Sequence, residues 1–262
     1  MNITFPHLPE RAQKPREKGL TMMMDKGLSL RQVEDFIAAS GTYTDIVKLG
    51  FGTSYLTNDS DLLQKLKLYN AADIKVYLGG TFYEAFIVRG MFNDYIKLLE
   101  KYKLEYAEVS DGSIIMPHDK KCEYISKLSK KFTVLSEVGS KEAGFIIHPN
   151  KWISMMKKEL EAGSWKVIAE ARESGTVGIY RANGNAHTLL INKILANIPK
   201  DDILWEAPNK PQQVWFIKLI GANANLGNIS HDDVIPLETL RIGLRGDTFF
   251  TFLPPNLKKS VY

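Results

Sequence analysis

Phe132-Thr133-Val134-Leu135-Ser136-Glu137-Val138-Gly139-Ser140-Lys141 is an apolar, β-branched run ending in a carboxylate, a turn glycine and a lysine. A run with so little charge suits a strand buried on both faces, as in a parallel sheet. Packing gives no reason for charged residues at its exit. In a barrel of parallel strands that exit is where chemistry is done.

Outward from this stretch, the same design recurs in both directions. Leu20–Met24 runs into Asp25-Lys26-Gly27, and Asp45–Leu49 into Gly50-Phe51-Gly52-Thr53-Ser54. Ile74–Leu78 runs into Gly79-Gly80-Thr81, and Leu104–Val109 into Ser110-Asp111-Gly112-Ser113. Beyond it, Lys166–Ala171 leads to Arg172-Glu173-Ser174-Gly175, and Asp202–Trp205 to Glu206-Ala207-Pro208; Asn225–Ile229 is a short eighth strand. Helical patterns lie between: Ser29 and Gln32 form a capping box ahead of Val33, Phe36 and Ile37. Asp59–Ala72 carries Leu62, Leu63, Leu66 and Tyr69 on one face, Pro211 opens another helix, and Pro236–Leu244 forms the last. Strict strand–helix alternation means a parallel sheet with helices outside it. Eight repeats in 262 residues favour a closed (β/α)8 barrel, an α/β TIM barrel in one domain. No Gly-x-Gly-x-x-Gly follows the first strand, which disfavours an open doubly wound sheet. The reading divides the chain into an arm (1–18), the barrel (19–250) and a tail (251–262).

Composition narrows the function classes. With 44% hydrophobic and 24% charged residues the chain is ordinary for a globular protein. The net charge of +4 is spread out, with no basic block interleaved with aromatics, so no nucleic-acid partner is expected. One cysteine, Cys122, excludes an intrachain disulfide. No apolar run reaches the length of a membrane span and Met1–Lys18 lacks a signal-peptide core, so the expectation is a cytoplasmic protein with no membrane partner.

Side chains alternate along a strand, and this parity sorts the charges. In the sixth strand Val167, Ala169 and Ala171 make the helix-facing side, leaving Glu170 and Arg172 inward. Val47 and Leu49 likewise leave Lys48 inward, and Ala107 and Val109 leave Glu108 inward. Asp25, Glu137 and Glu206 sit at comparable exits. Any one of these carboxylates alone reads as a structural salt bridge. Several of them converging on one mouth with Lys48 and Arg172 suggest a site. Carboxylates without His or Cys at ligand spacing suit a hard cation, hence Mg²⁺ as cofactor. The glycine-rich exits could offer backbone N–H groups to an anion, although taken alone they read as tight turns.

Specific strings can now be named. Gly19–Gly27, Val47–Ser54, Lys75–Thr81, Glu108–Ser113, Glu137–Gly139, Ala171–Gly175, Glu206–Pro208 and Leu237–Thr248 together resemble the phosphosulfolactate synthase family, in order and through nearly every strand exit. The resemblance implies a (β/α)8 barrel catalysing Mg²⁺-dependent addition of sulfite to phosphoenolpyruvate, giving (2R)-O-phospho-3-sulfolactate. In methanogens that product leads to coenzyme M. The implied class is a carbon–sulfur lyase. The expected partners are small anionic substrates and further copies of the chain. Lys141 matches the family's lysine after the Glu-Val-Gly turn and is the expected general acid, with Lys48 and Arg172 as anion-binding catalytic groups. Asp25, Glu108, Glu137 and Glu170 are expected at the metal or its waters. Gly52, Thr53, Ser54, Gly80, Thr81, Glu206 and Asn228 are expected at the substrate. Ala171 stands where the family usually has glycine, so its methyl is expected to crowd backbone or substrate. Two other readings compete: a non-catalytic member with a stress-protective or interaction role, and a Schiff-base lyase using Lys48 or Lys141.

Overall fold

The computed structural model describes residues 3–139 and 147–258. Its strands are β1 (Thr21–Asp25), β2 (Ile46–Leu49), β3 (Lys75–Leu78), β4 (Tyr106–Val109), β5 (Thr133–Val138), β6 (Ser164–Ala169), β7 (Ile203–Glu206) and β8 (Leu226–Ile229). Helices α1 (Leu30–Ser40), α2 (Thr53–Leu56), α3 (Asp59–Ala71), α4 (Gly80–Ile87) and α5 (Phe92–Lys101) fill the first half. Helices α6 (His118–Leu128), α7 (Pro149–Glu161), α8 (Thr188–Leu195), α9 (Lys210–Ile220) and α10 (Val234–Arg241) complete the ring. The expected capping box at Ser29 and Gln32 opens α1.

All strand pairs are parallel, in the order β3-β2-β1-β8-β7-β6-β5-β4. The seam between β3 and β4 is closed by side chains instead of a backbone ladder. Lys75 Nζ meets Glu105 Oε2 at 3.0 Å at its lower end, and the Gly80 N–H donates to Glu108 Oε1 at 2.8 Å at its upper end. A Cβ on Gly80 would collide with both Glu108 and Ser110, so only glycine lets α4 start this close to β4.

Two apolar layers follow from strand parity. Met23, Val47, Val76, Ala107, Val134, Val167 and Trp205 face the helices in one continuous core. Leu20, Met22, Ile46, Tyr77, Leu135, Ile168 and Leu204 fill the barrel interior. This plug separates the charged floor from the charged mouth. At the floor, the buried Arg241 donates to the carbonyls of Leu20, Ala222 and Ala224. Arm residues Arg11 and Arg16 pair there with Glu238 and Asp45. Burial pulls the Arg241 pKa down to about 9, with Arg11 adding to the effect, so it is still charged at neutral pH. No helix among the described residues is long and apolar enough to cross a membrane.

Candidate active site

The C-terminal ends of the strands open into a cavity of about 500 Å³. Lys48, Gly80, Thr81, Glu137, Glu170, Arg172, Glu206 and Asn228 line it. Parity brings Glu137, Glu170 and Glu206 inward from three adjacent strands, and an oxygen of each lies within 4.8 Å of the others. All three are buried. Lys48 Nζ stands among carboxylates, 3.2 Å from Glu108, 3.3 Å from Glu206 and 3.4 Å from Glu137. Burial by itself would lower the Lys48 pKa, but Glu108, Glu206 and Glu137 outweigh it and hold the ammonium well above its ordinary value.

Backbone donors orient the acids. The Ala171 N–H donates to Glu206 Oε2 at 2.9 Å, and the Arg172 N–H donates to Glu170 Oε1. Arg172 takes up a left-handed conformation (φ 53°) to do so and leaves its side chain exposed at the rim. Among the described residues no carboxylate pairs with its guanidinium. Asn228 reaches the cavity through a bulge. Thr21 pairs with Leu226 but Met23 with Ile229, so β8 carries an extra residue there, and Asn228 adopts φ 56°. Among the described residues its buried Oδ1 has no hydrogen-bond partner.

Several expectations change on this geometry. Asp25 is not at the mouth: β1 parity turns it into the helix layer. There Lys65 holds it at 2.9 Å and Tyr69 at 3.0 Å, and the Gly27 and Leu28 N–H groups also donate to it. Metal ligation by Asp25 is therefore a misreading, since every side of its carboxylate is engaged. Glu108 is inward as expected, but it closes the β3–β4 seam and holds Lys48 from below; it is not among the three clustered oxygens. The Gly80 N–H is spent on Glu108 and is not free for an anion. Gly52, Thr53 and Ser54 lie off the cavity wall: Gly52 is left-handed against Phe82, and the Thr53 hydroxyl donates to the Gly50 carbonyl. The Ala171 methyl is packed in the outer core, so it crowds neither the cavity nor a ligand in it. Lys141 lies outside the described residues.

Sequence reasoning missed Glu84 and Ser110. The Ser110 hydroxyl lies 2.6 Å from Glu84 Oε1 and 2.8 Å from Glu137 Oε1, and the Ser113 N–H donates to Glu84 Oε2. Ser110 was legible as the first residue past an inward-facing Glu108 strand. Glu84, one turn into α4, carried no such signal, because only the fold brings α4 over the β4 exit.

A nearly closed ring of eight parallel strands with buried carboxylates and a lysine at its C-terminal rim defines a TIM-barrel enzyme. The sequence model of the (2R)-phospho-3-sulfolactate synthase (ComA) family matches residues 9–247, and the chain belongs to that family. A phosphosulfolactate synthase of Bacillus subtilis is 41% identical over 253 residues, covering 95% of this chain and all of that one. Its counterpart in Methanocaldococcus jannaschii is 38% identical, covering 89% and 94%. The plant protein HEAT-STRESS-ASSOCIATED 32 of Arabidopsis thaliana is 22% identical over 269 residues, covering 91% of each. Among solved structures, 3-hexulose-6-phosphate synthase from Salmonella typhimurium has a TM-score of 0.53 at 14% identity, covering 85% of this chain and 99% of that one. N-acetylneuraminate lyase from Mycoplasma synoviae has 0.53 at 12%, covering 88% and 74%. At such identities the likeness speaks for the fold alone.

Proposed function

We propose that this chain is a phosphosulfolactate synthase of the carbon–sulfur lyase class, adding sulfite to phosphoenolpyruvate with Mg²⁺ as cofactor. The observation that carries the reading is the buried triad of Glu137, Glu170 and Glu206 beside Lys48, in a chain 41% identical to a phosphosulfolactate synthase. The donor set fits the ion. Mg²⁺ takes oxygens at about 2.0–2.1 Å, so neighbouring ligands stand roughly 3–4 Å apart, and three carboxylates within 4.8 Å need only a small closure. When bound, Mg²⁺ would neutralise the substrate carboxylate and stabilise charge developing on it.

The chain's own groups supply the rest. Both reactants are anions, and Lys48, held charged at the cavity floor, offsets their repulsion. Arg172 at the rim offers a planar fork for phosphate, and the Asn228 side chain offers a neutral polar contact in the same cavity. The sulfite sulfur lone pair forms the C–S bond at the methylene carbon. The alkene electron pair moves toward the carbon bearing the phosphate and its carboxylate, and a proton then adds to that carbon on one face. Nothing leaves, so phosphate stays on the product. The residue assigned to donate that proton is Lys141, on the resemblance alone. The Schiff-base reading needs a neutral amine, and the carboxylates around Lys48 disfavour one there. Self-association is part of the same reading, to be measured by sedimentation.

The test is consumption of phosphoenolpyruvate by the purified chain. Consumption should require sulfite and Mg²⁺, release no phosphate and stop with chelator. A folded protein that turns nothing over under these conditions ends the proposal.

A further inference from the structure

Lys121 plays no part in the site as described, yet it touches the backbone of a site residue. It lies on α6, fully buried behind the barrel wall. Its ammonium makes three contacts, to Asp111 Oδ1 at 2.8 Å, Glu159 Oε1 at 2.9 Å and the main-chain carbonyl of Glu137 at 2.5 Å. An ammonium has three N–H donors, so the contacts use it fully. Burial opposes its charge, but Glu159 and Asp111 outweigh burial and push its pKa above the ordinary lysine value.

The sheet explains the third contact. Along a parallel strand, successive residues direct their backbone groups to opposite neighbours. The Val138 carbonyl accepts from the Glu170 N–H on the β6 side, so the Glu137 carbonyl points to the β4 side. The β4–β5 ladder ends one pair earlier, at Val109 and Ser136. Past that point β4 has turned away into its loop, and the Lys121 ammonium supplies the missing donor. Through Asp111 the same ammonium grips that loop, one residue from Ser110, whose hydroxyl contacts the Glu137 carboxylate. Both ends of Glu137, backbone and side chain, are thus referred to one buried charge.

We infer that Lys121 is a positioning residue, holding Glu137 and the Ser110–Ser113 loop in the arrangement that gathers the three carboxylates around a divalent cation. The inference rests on the metal reading above. Lys121 meets neither substrate nor cation and acts only through Glu137 and Asp111.

The probe is Mn²⁺ binding followed by electron paramagnetic resonance, with kcat and KM for phosphoenolpyruvate measured alongside. In Lys121→Met the Mn²⁺ dissociation constant should rise at least tenfold and kcat at saturating metal should fall. Asp45→Asn serves as control, because it breaks a buried ion pair at the barrel floor. It should lower the melting temperature yet keep Mn²⁺ affinity within twofold. If Lys121→Met does not fold, Asp111→Asn replaces it; this keeps the shape of the loop but weakens its hold, and should weaken Mn²⁺ binding threefold or more. A folded Lys121→Met with wild-type affinity and kcat overturns the inference, as does a wild-type-like Asp111→Asn where Lys121→Met fails to fold. Wild-type protein that binds no Mn²⁺ overturns the metal reading and this inference with it.

Discussion

The two ends of the barrel both bury charge and use it differently. At the floor, each guanidinium finds carbonyls or carboxylates at hydrogen-bond distance, and the gap among Lys14, Arg16, Asp45 and Lys75 amounts to about 70 Å³. At the mouth, three carboxylates share one small volume under a cavity of about 500 Å³. Burying charge costs desolvation at both ends, but at the mouth one ammonium, Lys48, is shared among Glu108, Glu137 and Glu206. The apolar plug between Leu20 and Leu204 keeps the two systems apart, so the floor secures the fold while the mouth tolerates electrostatic strain.

The largest break in this contrast should come from Glu170→Gln. Removing one of three clustered carboxylates should cut divalent-cation affinity by roughly 100-fold, with activity falling in parallel. Its melting temperature should stay within a few degrees of wild type, because the amide oxygen can still accept from the Arg172 N–H. Calorimetry of Mn²⁺ binding and of unfolding gives both numbers; a lower melting temperature with intact affinity would mean the triad is structural. Next in size is Lys65→Met. It strands Asp25 in the helix layer without its partner, and unfolding free energy should drop by about 3–5 kcal/mol in urea. Metal affinity should be unchanged, since Asp25 points away from the cavity; a large loss of affinity would restore Asp25 to the site.

The smallest expected effect is a pH response that stays flat. The folded Lys48 pKa lies above the unfolded value of about 10.4, so its stabilisation is fully present below that pH. It is lost only as pH rises through the folded value. The stability difference between wild type and Lys48→Met, from urea melts, should therefore not shrink between pH 7 and 9.5. A decline over that range would show a neutral amine at the cavity floor and reopen the Schiff-base reading.

Much of the site was legible because a strand has a period of two. Val47 and Leu49 outward give Lys48 inward, and Ala169 outward gives Glu170 inward; both hold. Applied to β1, the same rule turns Asp25 outward, since Met22 lies inside and Met23 outside. Its place at a strand exit outweighed its parity, which produced the error. Asn228 is the opposite case. The bulge in β8 breaks the period, and no count along the strand reports an inserted residue.

The sequence by itself determined eight strand–helix repeats, their closure into a barrel, the family, and the inward direction of the regularly spaced charges. The repeats and the directions of the charges follow from local periodicity, which each segment carries within a dozen residues, whereas the family follows from the strings at the strand exits. Only the tertiary structure decided which charges meet. Lys48 joins Glu108, Glu137 and Glu206 across as many as 158 positions of chain, Glu84 arrives by way of a helix, and Lys121 reaches Glu137 because β4 ends one residue short. Those pairings depend on register, seam and helix docking, which are set by packing of the whole ring and by no single stretch of residues.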